Sequence, residues 1–293
     1  MKRLLRLSEP SIVRFINGLF GKNHPLDSTV EYPGTESVSR NLKRLLSDMI
    51  VIIDGRHAYH IEAEIRDDEN IAVRVFEYGF AQGLRAKTTS DDGKKISVKF
   101  PDARIRYLET KKHTPDEVTL SLEFPGGSGY EYTVKTFKFL EYEMEELKRR
   151  GLTILLPFYV LKLRKRVVAA RKASTRAKLY EEMRSVLDEL VSLTERAVRE
   201  NTLTESDGRT LLECTEMLYQ ELYQQDDELK GADTMLKETI LTYSEEAELR
   251  GREEGREEGR KEMMKNLLAN GISPDIIAKS AGLSLERVQA LVN

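Results

Sequence analysis

The stretch that decides the fold runs over residues 49–84 and reads MIVIIDGRHAYHIEAEIRDDENIAVRVFEYGFAQGL. It opens with an apolar run at 49–53, and a second β-prone run follows at 58–65. The Asp-Gly pair at 54–55 is typical of a tight hairpin turn. Over residues 69–86 apolar side chains recur every three or four positions, which is the period of a helix that packs on a sheet. The stretch therefore predicts a strand, a tight turn, a second strand and a covering helix.

The remainder of the first half alternates helical and β-rich segments. Helices are predicted near residues 9–20 and 37–46, and strands at 103–109, 117–124 and 130–139. Proline and glycine clusters separate these strands, as expected for surface turns. The first half is therefore predicted to be mixed α/β.

The second half changes character, because the residues between Pro157 and Pro274 include no proline. Such a stretch can remain helical, and two amphipathic segments joined near residues 201–207 predict a pair of antiparallel helices. The expected regions are a mixed α/β domain over 1–165, a helical region over 166–244, and a charged helix with a small helical tail over 245–293.

The amino-acid composition indicates which class of protein to expect. Lys and Arg number 47 and Asp and Glu number 50, so any attraction to nucleic acid must be local. The single cysteine, Cys214, excludes an internal disulfide and favours a reducing compartment. No apolar run reaches the length of about 18 residues that predicts a membrane span, and the basic N-terminus lacks a signal-peptide cleavage site. We therefore expect a cytoplasmic protein without membrane association.

Two glutamates on the second strand of the hairpin are candidates for chemistry. Strand alternation places Glu62 and Glu64 on one face, with Cα atoms about 7 Å apart and the carbonyl of Ala63 between them. Asp48 lies just before the first strand, where it can converge with Glu62. Like charges this close repel unless a cation intervenes, and Mg²⁺ or Mn²⁺ takes such oxygen ligands. The pattern favours a metal site, and its alternative is a solvated strand edge.

The helix after this strand offers two polar side chains on one face. Arg74 and Tyr78 are four residues apart, so a guanidinium and a hydroxyl would lie near the carboxylates and could contact a phosphate. The alternative for Arg74 is a surface ion pair with Glu77 or Asp67.

A basic run lies between residues 162 and 178, where no acidic residue occurs. A helix there would present a cationic stripe to DNA phosphates. The alternative is that the run neutralises the acidic segment 141–146 within the protein. Its eight basic residues are Lys162, Arg164, Lys165, Arg166, Arg171, Lys172, Arg176 and Lys178.

The C-terminal segment contains a glycine repeat and a small helical pair. Gly251, Gly255 and Gly259 recur every four residues in a highly charged context. This pattern predicts a solvated helix with i,i+4 ion pairs or, alternatively, a helix that self-associates through its glycines. Residues 272–292 are typical of two short helices joined at Gly282, similar to a helix-turn-helix unit.

Four segments, in order, carry a family resemblance. They read INGLFGKNHPLDSTVEYPGTESV from residue 16, SDMIVIIDGRHAYHIEAEIRDDENIAVRVFEYGFAQGL from 47, LLPFYVLKLRK from 155, and GREEGREEGRKEMMKNLLANGISPDIIAKSAGLSLERVQAL from 251. Together they resemble the Rpn family of recombination-promoting nucleases, a branch of the PD-(D/E)xK nuclease superfamily. The resemblance implies a restriction-endonuclease-like core sheet flanked by helices, and Mg²⁺-dependent or Mn²⁺-dependent cleavage of DNA.

The resemblance also implies roles for individual residues. An acid on the first core strand and a glutamate on the next bind the metal in that family, which assigns these roles to Asp48 and Glu62, with the Ala63 carbonyl beside them. Glu36 falls where the family usually has a glutamate on an upstream helix. Glu64 is a departure, since the family generally has glutamine there and the wider superfamily has lysine. A glutamate can accept a proton from water or ligate a second metal, but it cannot supply positive charge.

Two other functions stay open at the level of sequence. One is a catalytically degenerate nuclease fold that serves as a DNA-binding or self-associating scaffold, with homo-oligomers formed through the helical C-terminal half. The other is a transposase that rejoins DNA, for which the sequence contains no marker of a strand-transfer partner.

Overall fold

The computed structural model describes residues 7–33, 49–64, 70–109, 113–223, 226, 229–286 and 288. The chain forms two compact units, Met1–Glu238 and Thr239–Asn293. The first unit contains a six-stranded mixed sheet with helices, and the C-terminal region is helical. The predicted mixed α/β class is therefore confirmed. A boundary at residue 165 within the first unit stays a prediction.

The order of elements in the sheet-containing part agrees closely with the sequence pattern. The described elements are α1 (Glu9–Phe20), β1 (Val30–Glu31), β2 (Met49–Ile53), β3 (His57–Glu64), α2 (Ile71–Arg85), β4 (Thr88–Thr89), β5 (Ile96–Ser97), β6 (Asp102–Tyr107), β7 (Glu117–Glu123) and β8 (Gly129–Lys138). Within the described ranges, β4 and β5 pair only with each other. They were not predicted, because two-residue strands are too short to show a periodic pattern. The helix predicted near 37–46 lies outside the described residues.

The six strands of the main sheet have the order β1-β2-β3-β6-β8-β7. β2 runs antiparallel to β3, with Met49 opposite Ile61. β6 runs parallel to β3 on one side and to β8 on the other. The chain reaches β6 from β3 through α2, since parallel neighbours require a crossover connection. β3 therefore lies inside the sheet, with a hydrogen-bonded neighbour on each side.

The predicted turn between β2 and β3 is confirmed. Asp54 has φ 51° and Gly55 has φ 62°, the left-handed values that tight hairpin turns use. The Asp54 carboxylate accepts hydrogen bonds from the Thr29 amide and the Ser28 hydroxyl, both at 3.1 Å. These contacts hold a non-glycine residue at positive φ. The turn sets the register of the hairpin, and the register decides which face each β3 side chain joins.

Different elements pack on the two faces of the sheet. On one face, Ile71 and Val75 of α2 pack with Ile105, Tyr107 and Val134. This contact uses the helical period predicted for α2.

On the other face, the ring of Phe20 in α1 lies 4.7 Å from the ring of Tyr59. The guanidinium of Arg106 is fully buried there, 4.6 Å from the centroid of the Phe158 ring. Burial lowers the pKa of Arg106 to about 9. The aromatic face partly offsets the cost of removing this charge from water.

The described part of the first unit that follows the sheet is helical. Its elements are a 3₁₀ turn (Phe139–Glu141), α3 (Met144–Arg149), a 3₁₀ segment (Thr153–Leu163), α4 (Arg164–Ala169), α5 (Ala173–Arg199), α6 (Glu205–Tyr223) and the start of α7 (Thr234–Ala269). The 3₁₀ segment is buried except for Lys162, and α5 and α6 pack against it. The two helices predicted around a connection at 201–207 are confirmed as α5 and α6.

The basic run at 162–178 does not form a single helix. It spans the end of the 3₁₀ segment, all of α4 and the start of α5. The backbone is extended at Ala170, with ψ 124°, and at Lys172, with ψ 135°. The basic side chains are therefore divided among the 3₁₀ segment, α4, α5 and the connection between the two helices, and their contact with DNA stays a prediction.

The second unit contains most of α7 and the short helix α8 (Pro274–Ala281). A small core forms where Met264 packs with Ile277, Ala278 and Val288. Gly282 ends α8 at φ 65°, as the predicted turn requires. None of the described helices in either unit is both long and apolar enough to cross a lipid bilayer.

The glycine repeat lies within α7 and is helical, as predicted. Arg252 pairs with Glu248 at 2.6 Å, an i,i+4 ion pair on an exposed face. Among the described residues, a Cβ atom placed on Gly255 or Gly259 would meet no atom within 4 Å outside the helix backbone. These observations agree with a solvated helix, and self-association through the glycines stays a prediction.

A close approach of two backbone segments occurs at Gly18 in α1. A Cβ atom there would lie 2.0 Å from the carbonyl oxygen of Arg150. We expect Gly18→Ala to lower the free energy of unfolding by about 1–3 kcal/mol, because a backbone carbonyl cannot easily move aside. Urea denaturation measures this change.

The matched control is Gly259→Ala in α7. It should increase helix content, with a gain of about 0.5–1 kcal/mol, since its new methyl group meets no neighbour. An unchanged unfolding midpoint in the Gly18→Ala variant would contradict the close packing of α1.

Candidate active site

Three polar side chains of β3 lie on the same face of the sheet as α2. They are His60, Glu62 and Glu64, which follow the period of two along the strand. The side chains of His60 and Glu62 are each 1% exposed, whereas that of Glu64 is 12% exposed. Burial therefore decreases toward the C-terminal end of β3. The alternative of a solvated strand edge is wrong for this pair.

Arg74 of α2 bridges the two carboxylates. Its Nη2 atom lies 2.6 Å from Glu62 Oε1 and 3.0 Å from Glu64 Oε2. The two carboxylates therefore converge on one cationic nitrogen, at the end of the strand that is open to solvent. Arg74 itself is 37% exposed, so its guanidinium also reaches the surface. The structure thus places Arg74 beside the glutamates, where the helical register had predicted it.

His60 belongs to this site, although it was not among the predicted site residues. Its Nε2 atom lies 3.4 Å from Glu62 Oε2. Its ring lies nearly perpendicular to the Tyr78 ring, at an interplanar angle of 87° and with 5.9 Å between ring centroids. Among the described residues, none accepts or donates a hydrogen bond at either ring nitrogen. The signal for His60 was the same alternation that identified the glutamates, since residues 60, 62 and 64 share one face.

Tyr78 lies at the rim of the site. Its side chain is 48% exposed while its ring packs on His60. The hydroxyl is therefore accessible to a ligand that approaches the carboxylates, as its i,i+4 relation to Arg74 suggested.

The predicted metal ligands are described only in part. Asp48 and Glu36 lie outside the described residues, whereas Glu62, Ala63 and Glu64 lie within them. Over the described part of the chain, no three His, Cys, Asp or Glu side chains are arranged to hold a metal. Mg²⁺ needs only one or two carboxylates in addition to waters and phosphate oxygens. The Glu62 and Glu64 pair fits that minimal donor set, and Arg74 is the cation between them in this structure.

Two residues of the basic run lie close to the same edge of the sheet. Arg164 Nη1 is 2.8 Å from Glu109 Oε1, and Lys165 Nζ is 3.5 Å from Glu109 Oε2. Glu109 follows the end of β6, where the Leu108 amide donates to the Glu64 carbonyl at 2.8 Å. Glu109 therefore brings both cations to the edge at which β3 ends.

The other cations of the run differ in their surroundings. Lys162 lies 3.8 Å from Glu143, the pairing expected if the run neutralises segment 141–146. Arg166 donates to Glu182 of α5 through two nitrogens, with Nη2 at 2.9 Å from Oε1. Within the described ranges, the cations of the run that form no ion pair are Arg171, Lys172 and Lys178.

Comparisons with known proteins add no assignment. No protein-family model, no curated protein and no solved structure matches this chain. The resemblance to the Rpn family therefore stays a prediction from the residues quoted above, and the function must be argued from the site.

Proposed function

We propose that this chain is a divalent-metal-dependent DNA endonuclease that hydrolyses phosphodiester bonds. The observation that carries the proposal is the buried Glu62 carboxylate beside Glu64 on β3, with Arg74 bridging both. A restriction-endonuclease-like identity for the sheet is part of the proposal. It is supported by the order α1, β1, β2, β3, α2, β6, with the acidic pair on the third strand.

The burial of Glu62 supports a functional role for the pair. A carboxylate removed from water costs several kcal/mol unless nearby groups compensate for the lost hydration. A strand that served only the core would carry an apolar residue at this position, as Ile61 and Tyr59 do on the opposite face. Two carboxylate oxygens converge on one cation, and a divalent ion can take the place of that cation.

The proposed role of each residue follows from how exposed its side chain is to solvent. A bound Mg²⁺ or Mn²⁺ would lower the pKa of a water ligand and polarise a phosphoryl oxygen. Glu62, the more buried carboxylate, would hold the ion together with the Ala63 carbonyl and, by resemblance, Asp48. Glu64 is nearer to solvent and would orient the attacking water and accept its proton. Arg74 would turn its planar guanidinium toward phosphate oxygens, which it matches with two parallel hydrogen bonds.

Contacts to the DNA backbone are proposed at the same edge of the sheet. Arg164 and Lys165 are placed there by Glu109, and their side chains are 36% and 58% exposed. Arg171 and Lys172 are exposed in the connection that follows α4. Such cations would bind phosphates with an affinity that falls as salt concentration rises.

A DNA-binding scaffold without catalysis is the second candidate. The ion pairs of Arg74 with Glu62 and Glu64 favour this candidate, because Arg74 already supplies a cation to both carboxylates. Glu64 also stands where the resembling family has glutamine. In this case the fold would bind DNA or a second copy of the chain without cutting.

The deciding experiment incubates the purified chain with supercoiled plasmid in Mg²⁺, in Mn²⁺ and in EDTA. We expect nicked and linear DNA with either ion and intact plasmid in EDTA, because hydrolysis requires the ion. Calorimetry with Mn²⁺ accompanies the assay. Absence of both cleavage and Mn²⁺ binding, together with salt-sensitive DNA binding, would favour the scaffold. Joined products with a donor DNA end would instead indicate a transposase.

A further inference from the structure

A separate cavity of about 170 Å³, lined by both charged and apolar residues, lies at the N-terminal ends of β3 and β6. Its position is distinct from the candidate active site, because Glu62 lies five residues beyond His57, or about 16 Å along the strand. The polar side chains that line it are Lys22, Arg56, His57, Gln82, Lys99 and Asp102. They come from the end of α1, the hairpin turn, α2 and the segment that leads into β6.

The charges that line this cavity are mostly positive. Lys22, Arg56 and Lys99 face a single lining carboxylate, Asp102. Asp102 pairs with Lys22 at 2.8 Å. Arg56 and Lys99 are exposed and form no ion pair with any described residue. The cavity therefore has an excess of positive charge and attracts an anion.

The wall of the cavity also supplies a buried polar group. Gln82 is only 8% exposed, and no described residue hydrogen-bonds to its side-chain amide. Tyr59 is held at the wall by a 2.6 Å hydrogen bond between its hydroxyl and His24 Nε2. An anion with several acceptor oxygens could bond to the Gln82 amide, the Arg56 guanidinium and the Lys99 ammonium together. A phosphate group carries several such oxygens, and arginine is well suited to bind it through two nitrogens.

We propose that this cavity binds a phosphate group, supplied either by a nucleic-acid backbone or by a free nucleotide. The inference goes beyond the proposed cleavage chemistry, since it holds whether or not Glu62 and Glu64 bind a metal. If the phosphate belongs to a nucleic acid, the cavity binds the nucleic-acid backbone about 16 Å from the carboxylates, measured along β3.

The test uses the full chain in EDTA, so that cleavage cannot contribute. The double variant Arg56→Glu/Lys99→Glu removes the unpaired cations, and Lys94→Glu is the control. Lys94 is exposed in the connection between β4 and β5 and does not line the cavity. The probes are a short fluorescein-labelled oligodeoxythymidylate followed by anisotropy, and inorganic phosphate and thymidine 5′-monophosphate followed by calorimetry.

We expect the double variant to bind at least about tenfold more weakly than the wild-type chain, because it loses two charge-assisted contacts. The control should lie within about twofold of wild type, as a surface charge alone contributes little. Binding of the oligonucleotide alone would identify a backbone phosphate. Binding of inorganic phosphate or the nucleotide, in competition with the oligonucleotide, would identify a free phosphate source.

Two results overturn the proposal. One is that none of the three probes binds the wild-type chain. The other is that the double variant binds as tightly as the Lys94→Glu control, which would place the phosphate contact elsewhere, for example on the basic run. Circular dichroism monitors folding, and the milder pair Arg56→Gln/Lys99→Gln replaces the charge reversal if that variant unfolds. Because every readout is metal-free binding, failure here is distinguishable from failure of the proposed nuclease.

Discussion

Replacement of Glu62 by glutamine is expected to reduce metal-dependent DNA cleavage by about 100-fold or more, as for other losses of an essential proton-transfer or metal-holding group. The amide has nearly the same shape as the carboxylate, so the packing around this 1% exposed side chain should persist. Arg74 keeps an oxygen acceptor at its Nη2 atom. The substitution therefore removes the negative charge and little else.

The measurement is the rate of plasmid nicking in Mg²⁺, with Mn²⁺ calorimetry as a second readout. Glu123→Gln is the matched control, because Glu123 is an exposed glutamate at the end of β7. It should leave both readouts unchanged. Glu64→Gln provides a further comparison, since it should slow cleavage while Mn²⁺ binding is retained if Glu64 acts on the water. Equal rates of plasmid nicking by the wild-type and Glu62→Gln proteins would refute the nuclease proposal.

Replacement of Asp207 by alanine is expected to lower the free energy of unfolding by about 3–5 kcal/mol. Asp207 is 3% exposed and accepts three hydrogen bonds at the start of α1. The donors are the Ser8 amide at 2.8 Å, the Ser8 hydroxyl at 2.5 Å and the Ser11 hydroxyl at 2.7 Å. A carboxylate at this point also stabilises the helix N-terminus, where backbone amides lack partners. Alanine would leave these donors unsatisfied in the protein interior.

Urea denaturation followed by circular dichroism measures the change. Asp116→Ala is the control, because the Asp116 side chain is 97% exposed and its 2.8 Å pair with Lys138 lies at the surface. Exposed pairs of this kind contribute about 0–1 kcal/mol. If the two variants shift the unfolding midpoint equally, then Asp207 does not connect α1 to α6 as the structure indicates.

The secondary structure around the site could be predicted because its signals are short-range. The Asp-Gly pair marks the turn, alternation marks β3, and the spacing of Ile71 and Val75 marks α2. Each of these signals depends on neighbours within a few residues, so a local pattern is sufficient. The interruption of the basic run at Ala170 was not predicted, since nothing in its composition opposes a helix. There the chain leaves α4 and enters α5, which packs against the buried 3₁₀ segment, so the break depends on tertiary packing.

Other features could not be predicted, because they depend on long-range packing. Ser8 and Asp207 are 199 positions apart in the chain, and no local pattern relates them. The phosphate-binding cavity likewise combines the end of α1 with the hairpin turn and the segment before β6. The position of His60 beside Glu62 was implicit in the alternation of β3. Its burial, however, depends on Tyr78 and the rest of α2.

The sequence by itself determined that Glu62 and Glu64 share one face of a strand and that Arg74 and Tyr78 share one face of the next helix. Both follow from the backbone periods of two and 3.6 residues. Only the tertiary structure decided that α2 lies on this face, buries Glu62 and brings the Arg74 guanidinium between the carboxylates. The physical reason is that the parallel pairing of β3 with β6 requires a crossover, and packing of Ile71 and Val75 on Ile105 selects the face that the crossover helix covers.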